Sequence, residues 1–292
     1  VGKISEIYDQ SGKTSFDLYD FKQNLLSLSK QFCVEYKSLN DWNDSPQLIN
    51  ELFNSTFEYD AMNRPVSHTL PSGQTVRYKY NKAGLTEKII TDSDGIQTEF
   101  VKGISYNEKG QRTGIYFGNN TKTAYSYDEL TFRLTRLLTT RNAGADILQD
   151  INYTYDPVGN ITHITDNAQQ TFYFNNQVIA PTGTYTYDAL YRLKTATGRE
   201  LTALSMPSHE DFVNDIALPN PSSNAMQNYE QQYTYDELGN ILQMKSVSNS
   251  PWTRDYYYEN PGNNYLHGHD SVTAVYDYDR HGNMIQMPHL ST

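Results

Sequence analysis

The chain has 292 residues, with 23 Lys and Arg against 34 Asp and Glu, a formal net charge of −11. That dispersed acidic balance excludes a basic nucleic-acid-binding face. No run approaches about 20 consecutive apolar residues, which excludes a membrane-spanning helix, and the single cysteine, Cys33, excludes an internal disulfide. Much of the apolar mass is held as 25 tyrosines. Tyr buries a ring while its hydroxyl stays hydrogen-bonded or wet, so the composition predicts an all-β protein with much half-buried surface. The chain opens on Val1 without a secretory signal pattern. It reads as one repeat segment spanning residues 1–292 of a longer polypeptide, with no internal domain boundary.

Along the chain one element recurs: Tyr-Asp or Tyr-Asn, a few turn residues often including Gly, then Asn, Arg or Lys and an apolar residue. Copies begin at Tyr8, Tyr19, Tyr59, Tyr80, Tyr106, Tyr127, Tyr155, Tyr187, Tyr235 and Tyr278. Their irregular spacing argues against a propeller or a strict solenoid. The clearest copies are Tyr155-Asp156 to Gly159-Asn160, Tyr235-Asp236 to Gly239-Asn240, and Tyr278-Asp279 to Gly282-Asn283. Tyr153 and Tyr155, two apart, share one face of a strand. Asp156 then accepts backbone N–H groups ahead of it, Gly159 supplies a positive φ, and Asn160 ties the loop before the return strand from Ile161. Each copy therefore predicts a β-hairpin.

Two segments break the pattern. SPQLINELF, from Ser45 to Phe53, predicts one short helix, with Ser45 as N-cap, Pro46 at the first helical position and an apolar stripe of Leu48, Ile49, Leu52 and Phe53. The Pro/Ser/Asn-rich stretch from Met206 to Gln232 predicts an irregular connector, with a helical turn around Ala225 to Tyr229.

These motifs resemble the RHS/YD-repeat family. The longer strings YDAMNRPVSHTLPSG (Tyr59–Gly73), YDELTFRLTRLLTTR (Tyr127–Arg141), YTYDALYRLKTATGRE (Tyr185–Glu200) and HGNMIQMPHL (His281–Leu290) resemble the RHS region of Tc-type insecticidal toxin complexes and related large bacterial toxins. The resemblance implies a fold in which irregular YD-repeat hairpins form part of a large curved or spiralling shell sheet. It also implies a non-enzymatic function: walling off a C-terminal effector polypeptide for delivery. The implied partners are the remainder of the toxin chain, the enclosed effector and a translocation component, and the implied location is secreted or at the bacterial cell surface. No Asp-rich self-cleavage signature follows the last repeat, so no catalytic residue is carried over. The second reading is an adhesion or glycan-binding scaffold that presents loops such as Met206–Gln232 or Pro261–Ser271.

The candidate chemistry is sparse. His267, His269 and Asp270 lack further metal ligands and sit in Gly-rich surroundings that predict a solvated hairpin tip. His163 and His281 lie in or beside repeat hairpins. Asp92, Asp94 and Gly95 suggest part of a calcium loop, but Val101 stands where a bidentate Glu is needed, so they predict a turn. Cys33, between Phe32 and Val34, reads as a packed strand residue. Tyr256, Tyr257 and Tyr258 read as sheet packing, with a sugar-binding platform as the alternative. Asn54, Asn119, Asn152 and Asn160 begin N-x-[ST] sequons that matter only in a eukaryotic secretory pathway. Phosphate-cradling and serine-nucleophile motifs do not occur, and no cofactor or metal is expected.

Overall fold

The computed structural model describes residues 2–35, 39–174, 176–201, 226–248, 251–258, 264–269, 276–279 and 282–287. Among them the chain is all-β, and its contacts divide it into two units. One comprises residues 1–125 and 140–146, the other 126–139 and 147–292, so the division falls within three strands.

The first unit is built from β1 (Glu6–Asp9), β2 (Gly12–Tyr19), β3 (Leu25–Phe32), β4 (Phe53–Tyr59), β5 (Pro65–Thr69), β6 (Thr75–Tyr80), β7 (Thr86–Ser93), β8 (Ile96–Tyr106), β9 (Arg112–Phe117) and most of β10 (Lys122–Tyr127). Each strand pairs antiparallel with the next, from β1 to β10. Asp94 and Gly95 form the tight link between β7 and β8, both at positive φ (53° and 80°), as a two-residue hairpin turn demands.

The second unit holds most of β11 (Leu134–Arg141) and β12 (Asp146–Tyr155), then β13 (Ile161–Asp166), β14 (Phe172–Phe174), β15 (Gln177–Ile179), β16 (Thr182–Tyr187), β17 (Leu193–Leu201), β18 (Met226–Tyr235), β19 (Ile241–Ser246), β20 (Trp252–Tyr258) and β21 (Leu266–His269). It also holds the short pair β22 (Asp277–Tyr278) and β23 (Met284–Gln286). From β12 to β21 the strands form an antiparallel meander, except that β14 and β15 leave it as a separate hairpin and β13 pairs directly with β16.

The predicted helix from Ser45 to Phe53 does not form. Ser45 takes φ 52° and ψ 69° and closes a 3₁₀ turn over Trp42–Asp44, which Asp41 caps by accepting from Asn43 N–H. The following residues run extended beside the end of β3. Val34 N–H donates to Gln47 O and Ile49 N–H to Phe32 O, both at 2.9 Å, and Leu48 bridges the buried Cys33. Nine residues are too few to hold a helix without tertiary support, and pairing with an open strand end satisfies the backbone instead. The predicted helical turn near Ala225 is also absent where it can be followed, because Met226–Gln232 belong to β18. Residues 206–225 of the connector lie outside the described residues.

The apolar core is thin. Among the described residues, Cys33, Ile90, Ile115, Ile179 and Ala196 are the buried apolar side chains. The rest of the packing is half-buried, in keeping with tyrosine as the dominant large residue.

Candidate functional site

The recurring structure is the turn that follows each Tyr-Asp pair. At Asp156, Oδ1 accepts N–H bonds from Gly159 (2.7 Å) and Asn160 (2.8 Å), and Oδ2 accepts Asn160 Nδ2 (2.8 Å). The Asp156 N–H donates to Asn160 O at 2.9 Å. Asp236 holds Asn240 in the same way, through its N–H (2.8 Å) and Nδ2 (2.7 Å), and so does Asp279 with Asn283 (2.8 Å for both). Gly159, Gly239 and Gly282 carry the positive φ, at 113°, 94° and 81°. Where glycine is absent, Gln23, Asn63 and Tyr191 take that conformation, at 71°, 63° and 62°.

These bonds fix the carboxylates as anions. Arg64 beside Asp60 holds its carboxyl below the ordinary range, aided by backbone N–H donors. At Asp156 and Asp236 desolvation opposes ionisation, but the Asn side chain and the backbone N–H groups outweigh it and again lower the pKa.

In most of the repeats the tyrosine ties its turn to the one before. Tyr155 Oη donates to Leu134 O, Tyr187 Oη to Ile161 O and Tyr235 Oη to Leu193 O, each at 2.7 Å. Tyr258 Oη reaches Ile241 O at 3.0 Å. Every acceptor is the residue immediately after the preceding turn. In the first unit Tyr80 Oη bonds Pro65 O (2.7 Å) and Tyr106 Oη bonds Thr86 O (2.6 Å) in the same relation. Burial of the ring raises the phenol pKa of Tyr155, Tyr187 and Tyr235, so each stays a donor. The link also survives insertion: β14–β15 intervenes between Ile161 and Tyr187, and 42 residues separate Leu193 from Tyr235.

The repeats that end in arginine add a strut. Arg192 donates through Nε to its own Asp188 (2.7 Å) and through Nη1 to Asp236 O of the next turn (2.8 Å). Its guanidinium carbon lies 4.7 Å from the centroid of the Tyr235 ring. Arg133 reaches forward to Asp156 O (2.8 Å) and Pro157 O (3.1 Å). Asparagine at the same position closes its own turn, and Asn24 also reaches the next one, its Nδ2 donating to Asn63 Oδ1 at 3.0 Å.

A β-bulge accompanies the turns. Thr154 opposes His163 while Tyr155 opposes Ile161, leaving Thr162 as the extra residue. The same shift falls immediately before Tyr59, Tyr80, Tyr106, Tyr187, Tyr235, Tyr258 and Tyr278. Above the bulges, register separates the two faces of the second unit's sheet. Tyr153, Ile164, Tyr185, Ala196, Tyr229, Tyr233, Met244 and Tyr256 share one face. Thr154, His163, Thr184, Thr186, Thr195, Thr197, Gln232, Gln243 and Asp255 share the other. The polar face is cross-linked by Thr186 Oγ1 to Thr195 Oγ1 (2.6 Å) and Gln243 Nε2 to Asp255 Oδ1 (2.7 Å).

The remaining candidates do not assemble into a reactive centre. His267 and His269 are not at a hairpin tip. They lie in β21, where His269 opposes Tyr256 and His267 is a bulge residue. Backbone pairing accounts for that placement: β21 satisfies the outer N–H and C=O groups of β20, with Tyr257 opposite Gly268 and Tyr258 opposite Leu266. Asp270 and His281 lie outside the described residues, as do residues 261–263 and 271 of the Pro261–Ser271 loop. His163 shares a 2.8 Å hydrogen bond with Thr165. Tyr256 and Tyr258 fall on one face of β20 and Tyr257 on the other, which breaks up a three-ring platform. Among the described residues no group of three or more His, Cys, Asp or Glu side chains is placed to hold a metal, and no helix is long and apolar enough to cross a membrane.

Two kinds of turn were missed in the sequence. Leu70–Gln74 and Phe117–Thr121 close with the same backbone pair (2.8 and 2.9 Å) without a Tyr-Asp lead. Their signal was the positive-φ residue alone, Gly73 and Asn120.

The RHS Repeat family model matches residues 59–98, a stretch that spans the Tyr59 and Tyr80 repeats. The chain is 31% identical over 271 residues to toxin subunit YenC2 of Yersinia entomophaga, covering 88% of this chain and 28% of the relative. It is 36% identical over 209 residues to toxin subunit YenC1 of the same organism, covering 69% and 21%. A crystal structure of TcdB2-TccC3 superposes with a TM-score of 0.79 at 27% identity, over 97% of this chain and 15% of that one. The Tc holotoxin pore of Photorhabdus luminescens gives 0.77 at 25% identity, over 97% and 14%. The chain thus resembles the RHS-repeat shell region of Tc-type toxin subunits, and it spans about a quarter of the length of the curated relatives it matches.

Proposed function

We propose that this chain is a non-enzymatic wall segment of a secreted Tc-type toxin, and that the wall encloses a C-terminal effector polypeptide until delivery. The observation that carries the reading is the turn-to-turn ladder of Tyr and Arg bonds, which continues past inserted hairpins. Strand pairing joins the second unit's hairpins into an unbroken antiparallel run, the ladder ties their turns together along its rim, and continuity is what a container requires. The thin apolar core supports the same reading: the sheet holds itself by edge-to-edge bonding rather than by folding around a centre. The partners are the rest of the toxin chain, the effector, and a translocation component of the toxin complex.

The test is the full-length toxin, compared by native size-exclusion and by denaturing gel. The reading expects a C-terminal piece that is cut yet co-elutes with the shell. A chain that stays whole and leaves its C-terminal region open to added protease overturns it.

A further inference from the structure

Three repeat turns end in arginine, and each guanidinium lies over the ring of the next repeat's tyrosine. Arg64 stands 4.3 Å from the Tyr80 centroid, Arg133 5.7 Å from that of Tyr155 and Arg192 4.7 Å from that of Tyr235. Arg64 and Arg192 also donate through Nε to the aspartate of their own turn, Asp60 and Asp188, both at 2.7 Å. A carboxylate and a phenol ring thus make a seat for a guanidinium, and the chain fills that seat from within. The turn at Asp236 is built differently. It ends in Asn240, whose Nδ2 donates to Asp236 Oδ2 at 2.7 Å. Between this turn and the next repeat tyrosine, Tyr258, lies a cleft of about 480 Å³ whose lining includes Asp236, Glu237, Leu238, Leu242 and Tyr257. Arg192 meets this turn at the backbone, on Asp236 O, and not at its carboxylate. The walls of the cleft also depart from the repeat. At the matching positions the Asp156 turn and its successor have Pro157, Thr162 and Thr186 in place of Glu237, Leu242 and Tyr257. Leu242 and Tyr257 are 41% and 42% exposed, and Glu237 is exposed with no partner among the described residues.

We propose that this cleft binds the arginine side chain of a partner polypeptide, seating from outside the group that Arg64 and Arg192 supply from within. The guanidinium lies against the tyrosine rings and donates to the carboxylates of Asp236 and Glu237. Asp236 Oδ2 has one lone pair left beside its bond to Asn240. The methylene stem of the arginine covers Leu238 and Leu242. Lysine carries the same charge but lacks the planar fork that stacks on a ring and meets two acceptors at once, so the cleft favours arginine. The inference does not depend on what the wall encloses.

Saturation-transfer NMR on the full-length chain, with N-acetylargininamide as the probe, tests it. The probe is expected to bind saturably with a dissociation constant of about 1–10 mM, and N-acetyllysinamide roughly threefold or more weakly. Asn240→Arg sets a guanidinium in the seat from within, as Arg192 does, and is expected to weaken binding of the probe roughly tenfold or more with circular dichroism unchanged. Tyr257→Thr restores the residue that the repeat carries at Thr154, Thr186 and Thr234, and is expected to weaken binding about fivefold. A probe that shows no saturable binding, N-acetyllysinamide bound as tightly as N-acetylargininamide, or binding undiminished in Asn240→Arg or in Tyr257→Thr overturns the proposal.

Discussion

One aspartate or asparagine side chain closes the repeat turn, and in most repeats a tyrosine hydroxyl joins that turn to its predecessor. Tyr155→Phe removes the donor to Leu134 O and leaves the ring in place. It is expected to cost about 1 kcal/mol, the net worth of one hydrogen bond, read as a lower urea midpoint with an unchanged slope; an unchanged midpoint would remove the ladder from the account. The aspartates set the acid limit. Asp60, Asp128, Asp156, Asp188 and Asp236 all have lowered pKa values. A carboxyl whose folded pKa lies below its unfolded value stabilises fully above the unfolded value, and that contribution fades as pH falls through the folded one. Stability is thus expected to be flat near neutrality and to drop below about pH 4. A urea midpoint that holds constant from neutrality to about pH 2 would contradict this. At this scale the sequence was legible where side chains carry the signal, as in Asp156, Gly159 and Asn160. The acceptors Leu134, Ile161 and Leu193 were not, because a backbone carbonyl leaves no trace in residue identity.

At the scale of elements, alternation predicted shared faces, and Tyr153 and Tyr155 do stack, with centroids 6.5 Å apart. The bulge beside each turn was hidden. It adds one residue to the return strand, so a reading of strict alternation from Ile161 onward assigns the wrong partners until Thr162 is recognised as extra. The same slip hides the place of His267. The Ser45–Phe53 helix failed for a different reason: its apolar stripe suits a helix, but the open end of β3 offered backbone partners that nine residues of helix could not match. Glycine in a strand has its own meaning here. Gly198 lies opposite Tyr229, and a Cβ built there would stand 2.6 Å from the phenol oxygen and 2.7 Å from the ring carbon bearing it. The ring lies over the bare backbone. Gly198→Ala is expected to displace it and cost about 1–3 kcal/mol, measurable by chemical denaturation; a neutral result would mean that Tyr229 has another place to pack.

For the whole molecule, repeats and composition made the all-β class and the RHS resemblance readable, since ten turn motifs in one chain leave few alternatives. What composition could not show is how the hairpins join, because that rests on pairings between strands far apart in the chain and on bonds between turns up to 42 residues apart. If the chain is the wall of the proposed container, protection of a C-terminal polypeptide and integrity of the sheet must fail together. The measurement is protease digestion of the full-length toxin across a urea series, with the C-terminal segment followed by gel and the sheet by circular dichroism on the same samples. The account predicts that the C-terminal segment resists cleavage until the sheet unfolds, with coincident midpoints, and that Tyr155→Phe and Tyr235→Phe combined lower both together. A C-terminal segment digested at urea concentrations that leave the sheet intact would contradict it.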